Sequence, residues 1–171
     1  MQTHAQRVEF CPPPPKSTAV HSQSAVSNEP FMTEERTKIA RQFIEALPHC
    51  RALGMKLDSI GQGEAEIFMP YSEALIGDPD TGVIHGGAVS ALMDTCAGAS
   101  VMSHPKSGPA TATIDLRIDY MRAAKPGATI TAHAICYHMT RSVAFVRVSA
   151  NDGTSDVPVA AATGAFTVER T

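Results

Sequence analysis

The sequence lacks the marks of several protein classes. Basic residues do not outnumber acidic ones: 14 Lys and Arg stand against 17 Asp and Glu, a formal net charge of -3. Nothing here supplies the electrostatic footprint of a nucleic-acid partner. No apolar run approaches the roughly 18 residues that cross a bilayer. The first thirty residues have no apolar core of a secretory signal, so the expected location is the cytoplasm. The four cysteines, Cys11, Cys50, Cys96 and Cys136, contain no C-x-x-C pair. They lie about forty residues apart, which is not metal-site spacing, and free thiols in a reducing compartment are expected. The seven histidines form no H-E-x-x-H or similar cluster. No metal or redox cofactor is called for.

What is present is enough for one domain with an appendage. The chain has 171 residues, of which 43% are hydrophobic and 18% charged, so it can bury a real core. Residues 1 to 31 differ from the rest. "CPPPPK" favours a stiff polyproline II segment, and "STAVHSQSAVSNEP" is polar and without periodicity, as in disordered chain. It reads as a dispensable tail or as a docking peptide for a proline-binding module. The folded domain is expected over 32–171.

That domain begins with a helix at Thr33, with Ile39, Ala40, Phe43, Ile44 and Leu47 on its apolar face and Pro48 as its end. Residues 54 to 70 read as two short strands around Gly61-Gln62-Gly63, and residues 71 to 84 as a loop. A long apolar helix follows, from about Gly87 to Ser103, stopped by Pro105. "TIDLRIDY" then alternates cleanly, with Ile114, Leu116, Ile118 and Tyr120 on one face. "TITAHAICYHM", "SVAFVRVSA" and "VAAATGAFTVE" complete a run of strands, expected as an antiparallel meander because the connections are short. One antiparallel sheet with an apolar helix along it is an α+β architecture.

The helix holds the chemistry. From Ala88 to Met102 its one carboxylate is Asp94. That residue is either a structural group bonded to hydroxyls or backbone, or a functional one, since an unpaired buried carboxylate is costly. The helix opens with His85-Gly86-Gly87. Backbone N–H groups of a first helical turn have no partners within the helix, and with the dipole they suit an anion or a developing oxyanion. Gly86 and Gly87 leave that end uncovered to a substrate. His85 could orient the loop, bond a carbonyl or touch the substrate. Cys96 has no visible basic partner and reads as a buried small side chain. Gly86 and Asp94 are roughly 12 Å apart along one helix, too far for one carbonyl group to touch both. If both serve one reaction they come from different chains, which predicts a dimer with its site across the interface.

"GVIHGGAVSALMDTCAGAS" and "TATIDLRIDYMRAAKPG" together resemble the PaaI-like acyl-CoA thioesterases of the hotdog fold, over about residues 33 to 170. The resemblance implies a sheet wrapped around one long helix, and a homodimer or homotetramer in which subunits join their sheets. It implies that Asp94 is the catalytic carboxylate, as nucleophile or as general base, and that the Gly86 N–H of the opposing subunit polarises the thioester carbonyl. It places Thr113 near the attacking water and Arg122, Arg141 and Ser142 near the nucleotide end of coenzyme A. The arginines read equally as solvated surface charges. Several family members have Asn six residues before the His; here that position is Pro79, flanked by Asp78 and Asp80. Either Asp could hold the water or the surroundings of the catalytic carboxylate.

The expected activity is hydrolysis of an acyl-CoA, aromatic such as phenylacetyl or short- to medium-chain, to acid and coenzyme A. A non-catalytic acyl-CoA binder would share the pocket. A hotdog hydratase or dehydratase needs an acid/base pair, and the helix supplies only Asp94. Acyl length is expected to depend on how side chains such as Leu92, Met93, Met102 and Phe145 meet across two subunits.

Overall fold

The computed structural model describes residues 41–42, 44–108 and 110–169. The expected tail and the first part of the expected opening helix, including Ile39, Ala40 and Phe43, lie outside them. Arg41, Gln42 and residues 44–46 are helical, and Ile44 enters the core while Leu47 stays exposed at a bend. Pro48 does not simply end this segment. It starts a second short helix, α1 (Pro48–Ala52), where its missing N–H costs nothing and its fixed φ suits the first turn.

Strands β1 (Lys56–Gly61) and β2 (Glu64–Met69) form the expected hairpin. Gln62 and Gly63 both take positive φ at its turn. The expected loop over 71 to 84 has structure of its own. It holds a 3-10 turn (Glu73–Leu75) and a small pair, β3 (Ile76–Asp78) and β4 (Val83–Ile84). The long helix α2 (Gly86–Ser103) follows, then β5 (Thr113–Tyr120), β6 (Ile130–Met139), β7 (Val143–Asn151) and β8 (Ala160–Thr167).

Six of these strands make one antiparallel sheet in the order β1-β2-β6-β7-β8-β5. The meander holds for β6, β7 and β8 but not for β5. That strand lies at the far edge beside β8, and the chain after it crosses the sheet to pair β6 with β2. Short connections establish antiparallel direction, and they do not establish adjacency.

The core lies between α2 and the inner face of the sheet. The sheet offers small side chains at its centre: Ala132, Ala134, Ala144 and Ala150 are fully buried. The helix fills the space with Leu92, Met93 and Val101, and Ile67, Met69, Ile130 and Phe166 close the ends. Fully burying each of the larger side chains is worth about 1.5–3 kcal/mol. Cys96 faces the sheet, and its thiol donates to the Ala65 and Ala132 carbonyls at 3.2 Å each. Burial pushes this thiol up to about 12, so it is not a nucleophile.

One polar anchor fixes the connection between β5 and β6. Arg122 makes a bidentate pair with Asp152 at 2.7 and 2.6 Å, and its Nε donates to the Val157 carbonyl. Asp152 also accepts from the Lys125 and Thr154 N–H groups and the Thr154 hydroxyl. Its side chain has no exposed area, while that of Arg122 keeps 23%. The Arg122 guanidinium, with these N–H groups, holds the carboxyl far below the ordinary carboxylate range.

Substituting Asp152→Ala should lower stability, because it removes the carboxylate that pairs the Arg122 guanidinium and accepts from the Lys125 and Thr154 N–H groups. The native pKa of Asp152 is depressed, so its contribution is complete above the unfolded carboxylate value near ~4 and fades as pH falls below it. Urea unfolding between pH 3 and 7 should therefore show the native protein losing stability at low pH more steeply than the variant.

Candidate active site

The start of α2 is built around His85. Its ring caps the helix: Nδ1 accepts from the Gly87 N–H at 2.9 Å. That nitrogen therefore carries no hydrogen, and the ring N–H sits at Nε2. The His85 N–H donates to the Leu75 carbonyl at 2.8 Å, and the His85 carbonyl accepts from Ala88 at 3.0 Å. Two glycines make this fit possible. A Cβ at Gly87 would lie 2.9 Å from Nδ1, and one at Gly77 would lie 2.7 Å from the His85 Cα. So Gly87 serves the cap. Its N–H is spent on His85, and among the described residues the Gly86 N–H has no acceptor.

The other side of Gly86 is also held. The Tyr120 hydroxyl, from the end of β5, donates to the Gly86 carbonyl at 2.6 Å and lies 2.7 Å from the Ser90 hydroxyl. Ser90 Oγ donates to the same carbonyl at 3.1 Å. A glycine has the freest backbone of any residue, yet here both peptide planes flanking Gly86 are tied. Its N–H thus projects in a fixed direction at the positive end of the helix dipole.

Asp94 stands two turns further along the unbroken helix. It is half-buried, not buried as the apolar run suggested. Among the described residues the carboxylate has one hydrogen-bond partner: Thr113, at the start of β5, donates its hydroxyl to Oδ1 at 2.7 Å. The structure therefore brings Asp94 and Thr113 together at one end of β5, and His85, Gly86 and Gly87 together near the other. The two groups stay roughly 12 Å apart within the chain.

The remaining expected residues lie elsewhere. Arg122 is held by Asp152 and is not a freely solvated charge. Arg141 and Ser142 are exposed in the turn between β6 and β7, where the Ser142 carbonyl accepts from Val168. Asp78 closes its own turn, accepting from the Asp80 N–H at 3.1 Å and the Thr81 hydroxyl at 2.6 Å. The Thr81 bond holds its carboxyl below the ordinary value. Asp80 is exposed. Leu92 and Met93 point into the core, Met102 is exposed near the far end of α2, and Phe145 packs beside His138 on the other face of the sheet. These four do not meet in one pocket of the chain. Among the described residues no group of His, Cys, Asp and Glu could hold a metal ion.

Tyr120, Ser90 and Gly77 are the participants that reading the sequence missed. Ser90 had a local signal, lying four residues after Gly86 on the same helix face. Tyr120 and Gly77 had none, because each acts on a residue distant in sequence.

A helix wrapped by an antiparallel sheet, with a carboxylate midway along it and a glycine at its open start, defines a hotdog fold of the thioesterase type. Residues 81–159 match the family model described as Thioesterase superfamily. The protein VNG_1336C of Halobacterium salinarum, whose name assigns it provisionally to the esterases, is 30% identical over 146 residues, spanning 82% of this chain and 97% of that one. The medium/long-chain acyl-CoA thioesterase YigI of Escherichia coli is 25% identical over 143 residues, 76% of this chain and 91% of that one. The solved structure of the Escherichia coli PaaI protein, from the phenylacetic acid degradation operon, superposes with a TM-score of 0.68 at 22% identity, covering 79% of this chain and 92% of that one. The chain belongs to the thioesterase superfamily.

Removing only the Tyr120 hydroxyl tests the clamp on Gly86. Tyr120→Phe should cost about 1 kcal/mol and increase hydrogen exchange at Ser90 and its neighbours in the first turns of α2. Unchanged exchange there would show that the clamp holds nothing.

Proposed function

We propose that this protein is an acyl-CoA thioesterase that works as a homodimer or a dimer of dimers. The observation that carries the reading is the pairing of Asp94 with Thr113, set two turns from an open Gly86 N–H that is fixed on both sides. A thioester needs what these groups offer. Its carbonyl oxygen gains negative charge as the carbon is attacked, and an oriented N–H at a helix start stabilises that charge. Its carbon needs a nucleophile, which Asp94 supplies directly or by taking a proton from water. In the base route water adds to the carbon, the C–S bond breaks and the proton taken by Asp94 passes to the departing thiolate; in the direct route the C–S bond breaks to leave the acyl group on Asp94 as an anhydride, which water then cleaves, its protons passing to the acid and the thiolate. Thr113 donates to one Asp94 oxygen, and the other is the one we assign to the attack.

The separation along α2 makes the site a shared one. Strand β5 is one of the two edges of the sheet, and its exposed side chains include Ile114 (56%) and Tyr120 (48%). An apolar edge strand is a template for pairing with another chain. Antiparallel pairing of β5 with its own copy would bring Asp94 and Thr113 of one subunit toward Gly86 and Tyr120 of the other. Arg141, exposed in its turn, and Ser142 are the groups we assign to the nucleotide end of coenzyme A; Arg122 reaches that end only with Asp152 attached. His85 and Gly87 shape the rim against which the substrate lies. Aromatic acyl groups such as phenylacetyl and short- to medium-chain fatty acyl groups are the substrates we assign. We assign the reaction to the cytoplasm. Among the described residues no helix is long and apolar enough to cross a membrane.

Release of coenzyme A from a panel of acyl-CoA esters tests the activity. Asp94→Asn should lose ~10²-fold or more in kcat while staying folded. Binding of esters with no release by the native protein would make it a binder instead. Mixing subunits tests the shared site. Asp94→Asn and Gly86→Pro, which removes the N–H, should each be inactive. Re-paired together they should recover roughly a quarter of native activity, since half the dimers are mixed and each of these keeps one intact site. No recovery in verified mixed dimers would place both groups in one chain's site.

A further inference from the structure

Two recesses flank the start of α2. One lies toward β5 and has a volume of about 310 Å³; Gly86, Tyr120 and Arg122 are among its lining residues. The other lies toward α1 and has a volume of about 330 Å³. It is walled by Leu53, just after α1, Leu75 at the end of the 3-10 turn and Ile76 beyond it, and Ala88 and Ala91 from α2, with Gly87 at its rim. A thioester has two arms on its carbonyl carbon. With the oxygen at Gly86, the arms must leave on different sides, and the two recesses are the two exits.

Charge and polarity decide which arm takes which exit. The sulfur arm ends in a phosphorylated nucleotide, which must reach solvent and favours cations. The recess toward β5 follows the surface connection after β5 and carries polar groups, the Tyr120 hydroxyl and the Arg122 guanidinium already paired with Asp152. Among the described residues no Lys or Arg lines the recess toward α1; the titratable groups there are His49 and His85, and the other lining residues are apolar or glycine. Given the thioesterase reading above, on which this inference rests, we infer that the recess between α1 and α2 receives the acyl group, and that Ala91 and Leu53 set the length it accepts.

The argument for Ala91 is geometric. It lies one turn beyond Gly87 on the same helix face, so it forms the floor of the recess directly below the rim. Its methyl group is the smallest side chain that keeps a helix strong. A larger residue there would shorten the recess; Asp94 lies one turn further along the same face, so the rate with acetyl-CoA reports whether the carboxylate is disturbed. Leu53 forms the facing wall, and shortening it would deepen the recess. A volume of about 330 Å³ is near the lower end of the ~300–1,000 Å³ of ligand pockets. It suits a compact acyl group, a medium chain or a single ring, and not a long-chain one.

Kinetics on a series of straight-chain esters, from acetyl- to dodecanoyl-CoA, test this on the full-length protein. Ala91→Leu should cut kcat/KM for octanoyl-CoA by ~10-fold or more while leaving acetyl-CoA within about 3-fold. Leu53→Ala should shift the optimum to longer chains. An Ala91→Leu profile parallel to the native one at all lengths would overturn the inference, as would an unmoved optimum in a folded Leu53→Ala protein. Affinities for S-alkyl coenzyme A thioethers of the same lengths, which cannot be hydrolysed, read the recess independently of turnover. If no ester is cleaved, the thioesterase reading fails. The recess assignment then stands or falls on whether Ala91→Leu weakens the long thioethers selectively.

Discussion

The close seat of α2 on an alanine-lined sheet is the constraint from which the rest follows. Ala132, Ala134, Ala144 and Ala150 present little more than methyl groups at the centre of the inner face. A helix can approach that surface closely, and its own Leu92, Met93 and Val101 then fill the remaining space at interior density. Because one face of the helix is committed to this contact, the opposite face is left for Gly87, Ala91 and Asp94. The same contact stops the helix from rotating, so the carboxylate and the glycine N–H hold fixed bearings.

Order at the helix start comes from a different source. Gly86 has no side chain to pin it, and its neighbours supply the restraint: His85 through its own backbone, and Tyr120 and Ser90 through the carbonyl. The free N–H and the rigid peptide are thus separate achievements. A residue with a side chain would be easier to hold but would crowd Tyr120, whose ring a Cβ would meet at 3.4 Å.

Much of this was legible in the order of residues. The period-two pattern of "TIDLRIDY" located β5, the Gly-Gln-Gly turn located the first hairpin, and the lone carboxylate in an apolar helix marked Asp94. Local signals report local structure, which is why the strand and hairpin readings held. The position of β5 beside β8 was not legible, since which strand neighbours which is decided by global packing. The half-burial of Asp94 was hidden for a related reason. A run such as "SALMDTCAGAS" is uniformly small and apolar, so it has no clear polar face to read. The clamp by Tyr120 joins residues 34 apart in sequence, and the grip of Asp152 on Arg122 joins residues 30 apart. No periodicity records such pairs.

The edge position of β5 also sets an order of events during synthesis. Its partner β8 is the last strand made, over forty residues later, and the register of the two is tight: a Cβ at Gly164 would lie 2.5 Å from the Asp115 carbonyl. Loop closure over that span must precede any gain from the pairing. Until the C-terminal strand leaves the ribosome, β5 therefore has neither of its sides sealed, although α2 and the β1–β2 hairpin are already available. The carboxylate end of the site, where Thr113 meets Asp94, is consequently assembled late, and a chain cut short before β8 would expose β5 on both edges.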